Sequence, residues 1–120
     1  MIDHIGFEVS DLDRSSRFYD PVFFALGARR MLASDHAVAY GVNAPFFWIV
    51  VRGNTAQPGY GHVGLAAAGR AAVEAAYRAG LANGGADDGA PGPRPQYGRS
   101  CYAAYMLDPD GFRVEVVSRR

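Results

Sequence analysis

Two histidines and a glutamate, His4, His62 and Glu115, are the side chains whose type and spacing best suit metal or acid–base chemistry in this chain. Imidazole and carboxylate both bind divalent cations, and both exchange protons within reach of neutral pH. The histidines stand in matched segments, Asp3-His4-Ile5-Gly6-Phe7 and Gly61-His62-Val63-Gly64-Leu65, displaced by 58 residues. Each is followed 15 positions later by a tyrosine, Tyr19 or Tyr77. Repetition at half the chain length suggests two copies of one supersecondary unit that complete each other's core. Lysine is absent, which removes Schiff-base chemistry and a phosphate-loop lysine.

The elements that would position these groups follow from periodicity. Ile5, Phe7 and Val9 alternate with His4, Gly6 and Glu8, as in a half-buried strand. Ser10 or Asp11 then caps a helix whose buried stripe includes Leu12, Phe18, Val22 and Leu26, with Pro21 marking a kink or break. Segments 29–33, 37–42 and 46–52 read as strands, and 53–60 as a linker. The second unit opens with a strand over 61–67 and an alanine-rich helix over about 70–83. Segment 84–98, rich in glycine and proline, reads as loop with at most one short edge strand. Strands 100–107 and 112–118 flank Asp108-Pro109-Asp110-Gly111, a type I turn. Because strand side chains alternate, His4, His62 and Glu115 all point away from the residues that cover a helix. Gly6 and Gly64, on the same faces, leave room beside each histidine.

This pattern resembles the vicinal oxygen chelate superfamily, which includes glyoxalase I, extradiol dioxygenases and bleomycin-resistance proteins. The resemblance runs through His4 to Leu12, Ser16-Arg17-Phe18-Tyr19, Gly61 to Leu65 and Asp108 to Val116, nearly the whole chain. It implies an α+β fold of two βαβββ units, about 1–53 and 61–120, forming one domain around a curved-sheet cleft. It also implies that His4, His62 and Glu115 ligate one divalent ion per chain, of iron, zinc, nickel, manganese or cobalt. The fourth ligand position departs from the family pattern. The aligned residue is Trp48 or Ile49, and neither binds a hard cation. Two imidazoles and a carboxylate remain, the ligand set of non-haem Fe(II) oxygenases. Glu8 stands where glyoxalase-I-like members often carry an arginine for glutathione's carboxylate.

The expected function is a metal-dependent lyase or extradiol-type dioxygenase acting on substrates with vicinal oxygens. The alternative is a non-catalytic binding protein of the bleomycin-resistance type. Glutathione-dependent glyoxalase I activity is expected to be absent or weak, because Glu8 repels the conjugate's carboxylate and Trp48 or Ile49 removes a ligand. Assay of the methylglyoxal–glutathione hemithioacetal with added nickel, zinc, cobalt or manganese checks this; turnover of about 1–1,000 per second would overturn it. Glu8, Tyr97 and Tyr105 are candidates for proton transfer or hydrogen bonding to substrate, and Trp48, Glu8, Arg94 and Arg99 for the substrate pocket. His36 reads as a surface residue and Cys101 as a small buried apolar one.

Twelve arginines balance twelve acids, so no basic field exists for a nucleic acid or an anionic membrane. No apolar run approaches the roughly 20 residues of a membrane-spanning helix. The opening Met1-Ile2-Asp3-His4 lacks signal-peptide character, and a lone cysteine suits a reducing compartment, so a cytoplasmic protein is expected. A homodimer is expected as well, since two small units leave sheet edges open and clefts can be closed by residues supplied in trans.

Overall fold

A computed structural model describes all 120 residues. The first unit runs β1 (Ile5–Glu8), α1 (Leu12–Ala25), β2 (Arg29–Ala33), β3 (Ala37–Gly41) and β4 (Pro45–Val50). The second runs β5 (His62–Ala66), α2 (Arg70–Ala82), β6 (Ala86–Pro93), a 3-10 turn over Pro95–Tyr97, β7 (Tyr102–Leu107) and β8 (Arg113–Ser118). Each unit builds a four-stranded mixed sheet, ordered β1-β4-β3-β2 and β5-β8-β7-β6. In both, the first strand pairs in parallel with the last, and the rest of the sheet is antiparallel. The fold is α+β, built from two βαβββ repeats.

Asp11 caps α1, its carboxylate accepting from the Arg14 N–H at 3.0 Å. The helix then continues through Pro21 without ending, so of the kink or break expected there the break does not occur. Proline removes one helical donor, but Phe18, Tyr19, Val22 and Phe23 lie on both sides of it and are fully or almost fully buried. Burying these large side chains outweighs one missing bond.

Segment 84–98 holds the edge strand that was allowed for, but longer than expected. Residues 86–93 form an eight-residue edge strand antiparallel to β7. Its register shifts between Asp87 and Gly89 and again between Gly89 and Gly92. Bulges of this kind let a glycine- and proline-rich segment pair while erasing the period of two that marks a strand in sequence. Cys101 falls just before β7 rather than inside it, and is buried as expected. The 108–111 turn is present, with Gly111 N–H donating to the Asp108 carbonyl at 2.9 Å.

One core serves both units. Val9, Phe23, Tyr40, Phe47 and Ile49 from the first join Val73, Ala76, Met106, Val114 and Val116 from the second. Phe7 of β1 stacks on Phe112, just before the last strand, centroids 4.4 Å apart. Asp110 accepts from Ser10 N–H and from the Arg14 guanidinium, clamping the units at the head of α1. The helix-facing sides of both sheets are covered by α1 and α2, which also pack on each other. The opposite faces, carrying His4, Gly6, His62 and Gly64, remain exposed.

The β3–β4 hairpin permits a sharp test of backbone packing. A Cβ added at Gly41 would overlap the Ala44 carbonyl, with the carbonyl carbon only 2.7 Å away. Gly41→Ala is expected to cost about 1–3 kcal/mol, the usual range for forced overpacking, because backbone cannot yield as a side chain can. Gly59→Ala, where nothing lies within 4 Å, should change little. Urea midpoints of the two variants check the contrast.

Candidate functional site

His4 and His62 are exposed and Glu115 is partly exposed, as the alternation of strand side chains requires. Val63 and Leu65 face the core from β5, and Val114 and Val116 from β8, so His62 and Glu115 emerge on the opposite side. There they meet: His62 Nε2 lies 3.1 Å from Glu115 Oε1. The carboxylate is the more sheltered partner, its side chain 14% exposed against 44% for the imidazole. Gly64, paired across the sheet with Glu115, makes the meeting possible. A Cβ there would stand 3.3 Å from Glu115 Oε1, in the space through which the carboxylate leans towards His62.

His4 emerges from the other sheet. Its Nδ1 is 2.6 Å from Asp3 Oδ1, and it shares a cleft of about 450 Å³ with Gly6, Glu8, Trp48, Val50 and Arg52. No group of three or more His, Cys, Asp or Glu side chains gathers within one chain, and none of the four main clefts holds both histidines. The donors fit a divalent ion by type, but one chain assembles two of the three expected ligands.

The internal repeat resolves which residue occupies the vacant ligand position. Gly64 pairs with Glu115 across β5 and β8, and Gly6 pairs with Trp48 across β1 and β4. Gly6 corresponds to Gly64, so Trp48 corresponds to Glu115, while Ile49 is fully buried in the core. Trp48 is half-buried on the cleft side, an apolar wall beside His4 rather than a core residue. Glu8 accepts from Asn54 Nδ2 at 2.7 Å and lines that same cleft.

The second sheet carries its own cleft, of about 400 Å³, lined by His62, Asp88, Arg94, Tyr97, Tyr105 and Arg113 among others. The Tyr105 ring lies 6.0 Å from the His62 ring and is the cross-strand partner of Glu115. Burial, and then the Glu115 charge, push its hydroxyl above the ordinary tyrosine range. A tyrosine shifted in this direction keeps its proton near neutral pH. Tyr97 stands exposed on the cleft rim, and Arg99 is exposed and lines none of the main clefts. Arg113, ion-paired to Asp88 through Nε at 2.9 Å, went unnoticed in sequence. Its parity with Glu115, two residues on, was the available signal.

An apolar cleft of about 480 Å³ separates the free edges of β1 and β5, between Ile5 and Phe46 on one side and Val63 and Leu65 on the other. No backbone hydrogen bond crosses it.

Comparison with known proteins agrees with this geometry. The chain is 32% identical to a glyoxalase/bleomycin resistance protein from Albidiferax ferrireducens, covering 100% of this chain and 99% of that one, with a TM-score of 0.89. Fosfomycin resistance protein FosX from Mesorhizobium loti is 22% identical over 98% of this chain and 91% of its own, TM-score 0.71, a likeness of fold. A glyoxalase I variant from Zea mays is 24% identical over 99% of this chain and 44% of its own, also at 0.71. No curated protein matches. Residues 1–116 match the Glyoxalase/Bleomycin resistance protein/Dioxygenase superfamily. Paired βαβββ units with a histidine at the head of each, and a glutamate opposite the second, are thus those of a member: the chain belongs to the glyoxalase/bleomycin resistance protein/dioxygenase superfamily.

Proposed function

We propose that this protein is a divalent-metal-dependent enzyme acting on small molecules with vicinal oxygens, and that its site is shared between two copies of the chain. His62 and Glu115 of one copy, with His4 of the other, would hold one ion per chain. The observation that carries the reading is the His62–Glu115 pair at 3.1 Å on an exposed sheet face, with Gly64 opened to admit the carboxylate. A bound ion would supply Lewis acidity to two adjacent substrate oxygens. Tyr105, held protonated beside Glu115, would donate a hydrogen bond to substrate, and Trp48 would cover its apolar face. The separation of His4 from the pair supports a homodimer, because a second copy is what would bring the missing imidazole. A cytoplasmic setting fits a chain with no helix long and apolar enough to cross a membrane.

A second reading rests on Trp48. An aromatic wall in place of a fourth ligand favours sequestration of a planar molecule without turnover.

Metal analysis after dialysis, with calorimetric titration of manganese, zinc and iron(II), tests the proposal. About one equivalent per chain is expected. Outer partners of metal ligands typically cost 10–100-fold when lost, so His62→Ala should weaken binding by at least about 100-fold. No specific binding in the parent, or equal affinity in His62→Ala, would overturn the metal site. Oxygen consumption with iron(II) and a catechol panel then separates turnover from sequestration.

A further inference from the structure

The cleft on the second sheet contains a charge held in place with no counter-charge. Arg94 lies folded back over β6, on a floor that two glycines keep open. A Cβ at Gly92 would stand 3.1 Å from Arg94 Nη1, and one at Gly89 3.7 Å from Nη2. The guanidinium is fixed by neutral acceptors: Nη2 donates to the Ala90 carbonyl at 3.0 Å and Nη1 to the Pro93 carbonyl at 3.3 Å. Its Cζ sits 5.9 Å from the Tyr105 ring centre. The one carboxylate lining this cleft, Asp88, is engaged by Arg113, and the neighbouring Glu115 meets His62. Arg14, Arg30 and Arg113 form ion pairs; Arg94 forms none.

Two of the five guanidinium donors are thus used, leaving about three for a ligand in the fork geometry that suits an oxyanion. Two backbone carbonyls orient the group without neutralising it, and partial burial raises the value of an arriving anion. Tyr105 touches both ends of the arrangement, with its ring against Arg94 on one side and His62 on the other. A cleft of about 400 Å³ suits a ligand of one ring or a short chain.

Building on the function proposed above, we infer that Arg94 is a specificity-determining residue: it selects substrates that carry an oxyanion, such as a carboxylate, apart from the vicinal oxygens. The reading narrows the substrate class from vicinal diols and carbonyls in general to their acids.

The test uses two probes of equal shape, 3,4-dihydroxybenzoate and 3,4-dihydroxybenzamide, titrated at constant ionic strength into the metal-free and metal-loaded protein. A hydrogen-bonded charge is typically worth a factor of about 10 or more, so the parent should prefer the acid by at least about tenfold. In Arg94→Gln that preference should fall to within about twofold, because acid affinity falls by more than amide affinity. Arg94→Lys should keep part of it. Gly92→Ala, which leaves Arg94 present but crowds its floor, should also reduce it. Equal affinity for the two probes in the parent, a preference that survives in Arg94→Gln, or no binding of either probe to the metal-loaded protein would overturn the inference. Metal binding at His62 with no acid preference removes Arg94's role alone. An acid preference without metal binding keeps Arg94's role and removes the metal.

Discussion

Mixing His4→Ala chains with His62→Ala chains should restore metal binding that neither preparation has alone. Each homogeneous variant lacks one imidazole at every site. A mixed pair holds one site with His4 from one chain and His62 with Glu115 from the other, all intact, and one site missing both histidines. Random exchange of equal amounts makes about half the pairs mixed, so about one quarter of all sites should recover. The basis is the placement of His4 on a different sheet face from the His62–Glu115 pair, with no three-ligand cluster inside one chain. Titration after co-refolding, with each variant alone as reference, measures the recovered fraction. Zero recovery with a confirmed mixed dimer would sink the shared site. Full binding by the His4→Ala chain alone would remove His4 from the ligand set.

The largest effect on stability is expected at Asp108. Its carboxylate is 4% exposed and accepts three bonds: from the Tyr19 hydroxyl at 2.6 Å and from the Asp110 and Phe112 N–H groups at 2.9 Å each. It ties α1 to the turn between β7 and β8, and so one unit to the other. Asp108→Ala strands three donors and should destabilise by about 3–5 kcal/mol, read from chemical denaturation. Tyr19→Phe removes one donor and should cost about 1–2 kcal/mol.

The same pair sets the pH response. Burial raises the Asp108 carboxyl above the usual range, against the bonds that lower it. A raised folded value means the proton is held more tightly in the fold, so this stabilisation is complete in acid and is lost as pH rises through that value. Burial, then the Asp108 charge, holds Tyr19 well above 10. Its contribution is complete below about pH 10, where unfolded tyrosine ionises, and falls above it by up to about 1.4 kcal/mol per pH unit. Alkaline unfolding of Tyr19→Phe should have a correspondingly shallower slope.

Period-two alternation was enough to place His4, His62 and Glu115 on the outer faces, because burial on one side forces that pattern on strands. It carries no information about how two sheets are set against each other, so the distance between His4 and the other two was not legible. The full length of the 86–93 strand was hidden for a local reason. Two bulges and its prolines remove both periodicity and propensity, and pairing with β7 decides the outcome instead. At Pro21 the helix does not break, since a propensity argument cannot weigh the aromatic core that holds α1 together. The tyrosine echo at Tyr19 and Tyr77 was visible, but not its meaning. Tyr19 bonds Asp108 and Tyr77 bonds Asp87, acids that no fixed spacing relates.

The strand borders differ in quality, and the difference governs how chains can add to one another. The outer border β6 is bulged and carries Pro91 and Pro93, which have no N–H to offer, and β2 at the far side of the other sheet is bulged between Arg30 and Leu32. The inner borders β1 and β5 keep an unbroken register with their neighbours. Strand addition is thus discouraged where it would propagate without end and left open only at the two inner borders. A partner related by a two-fold axis would consume both at once, leaving no template for a third chain.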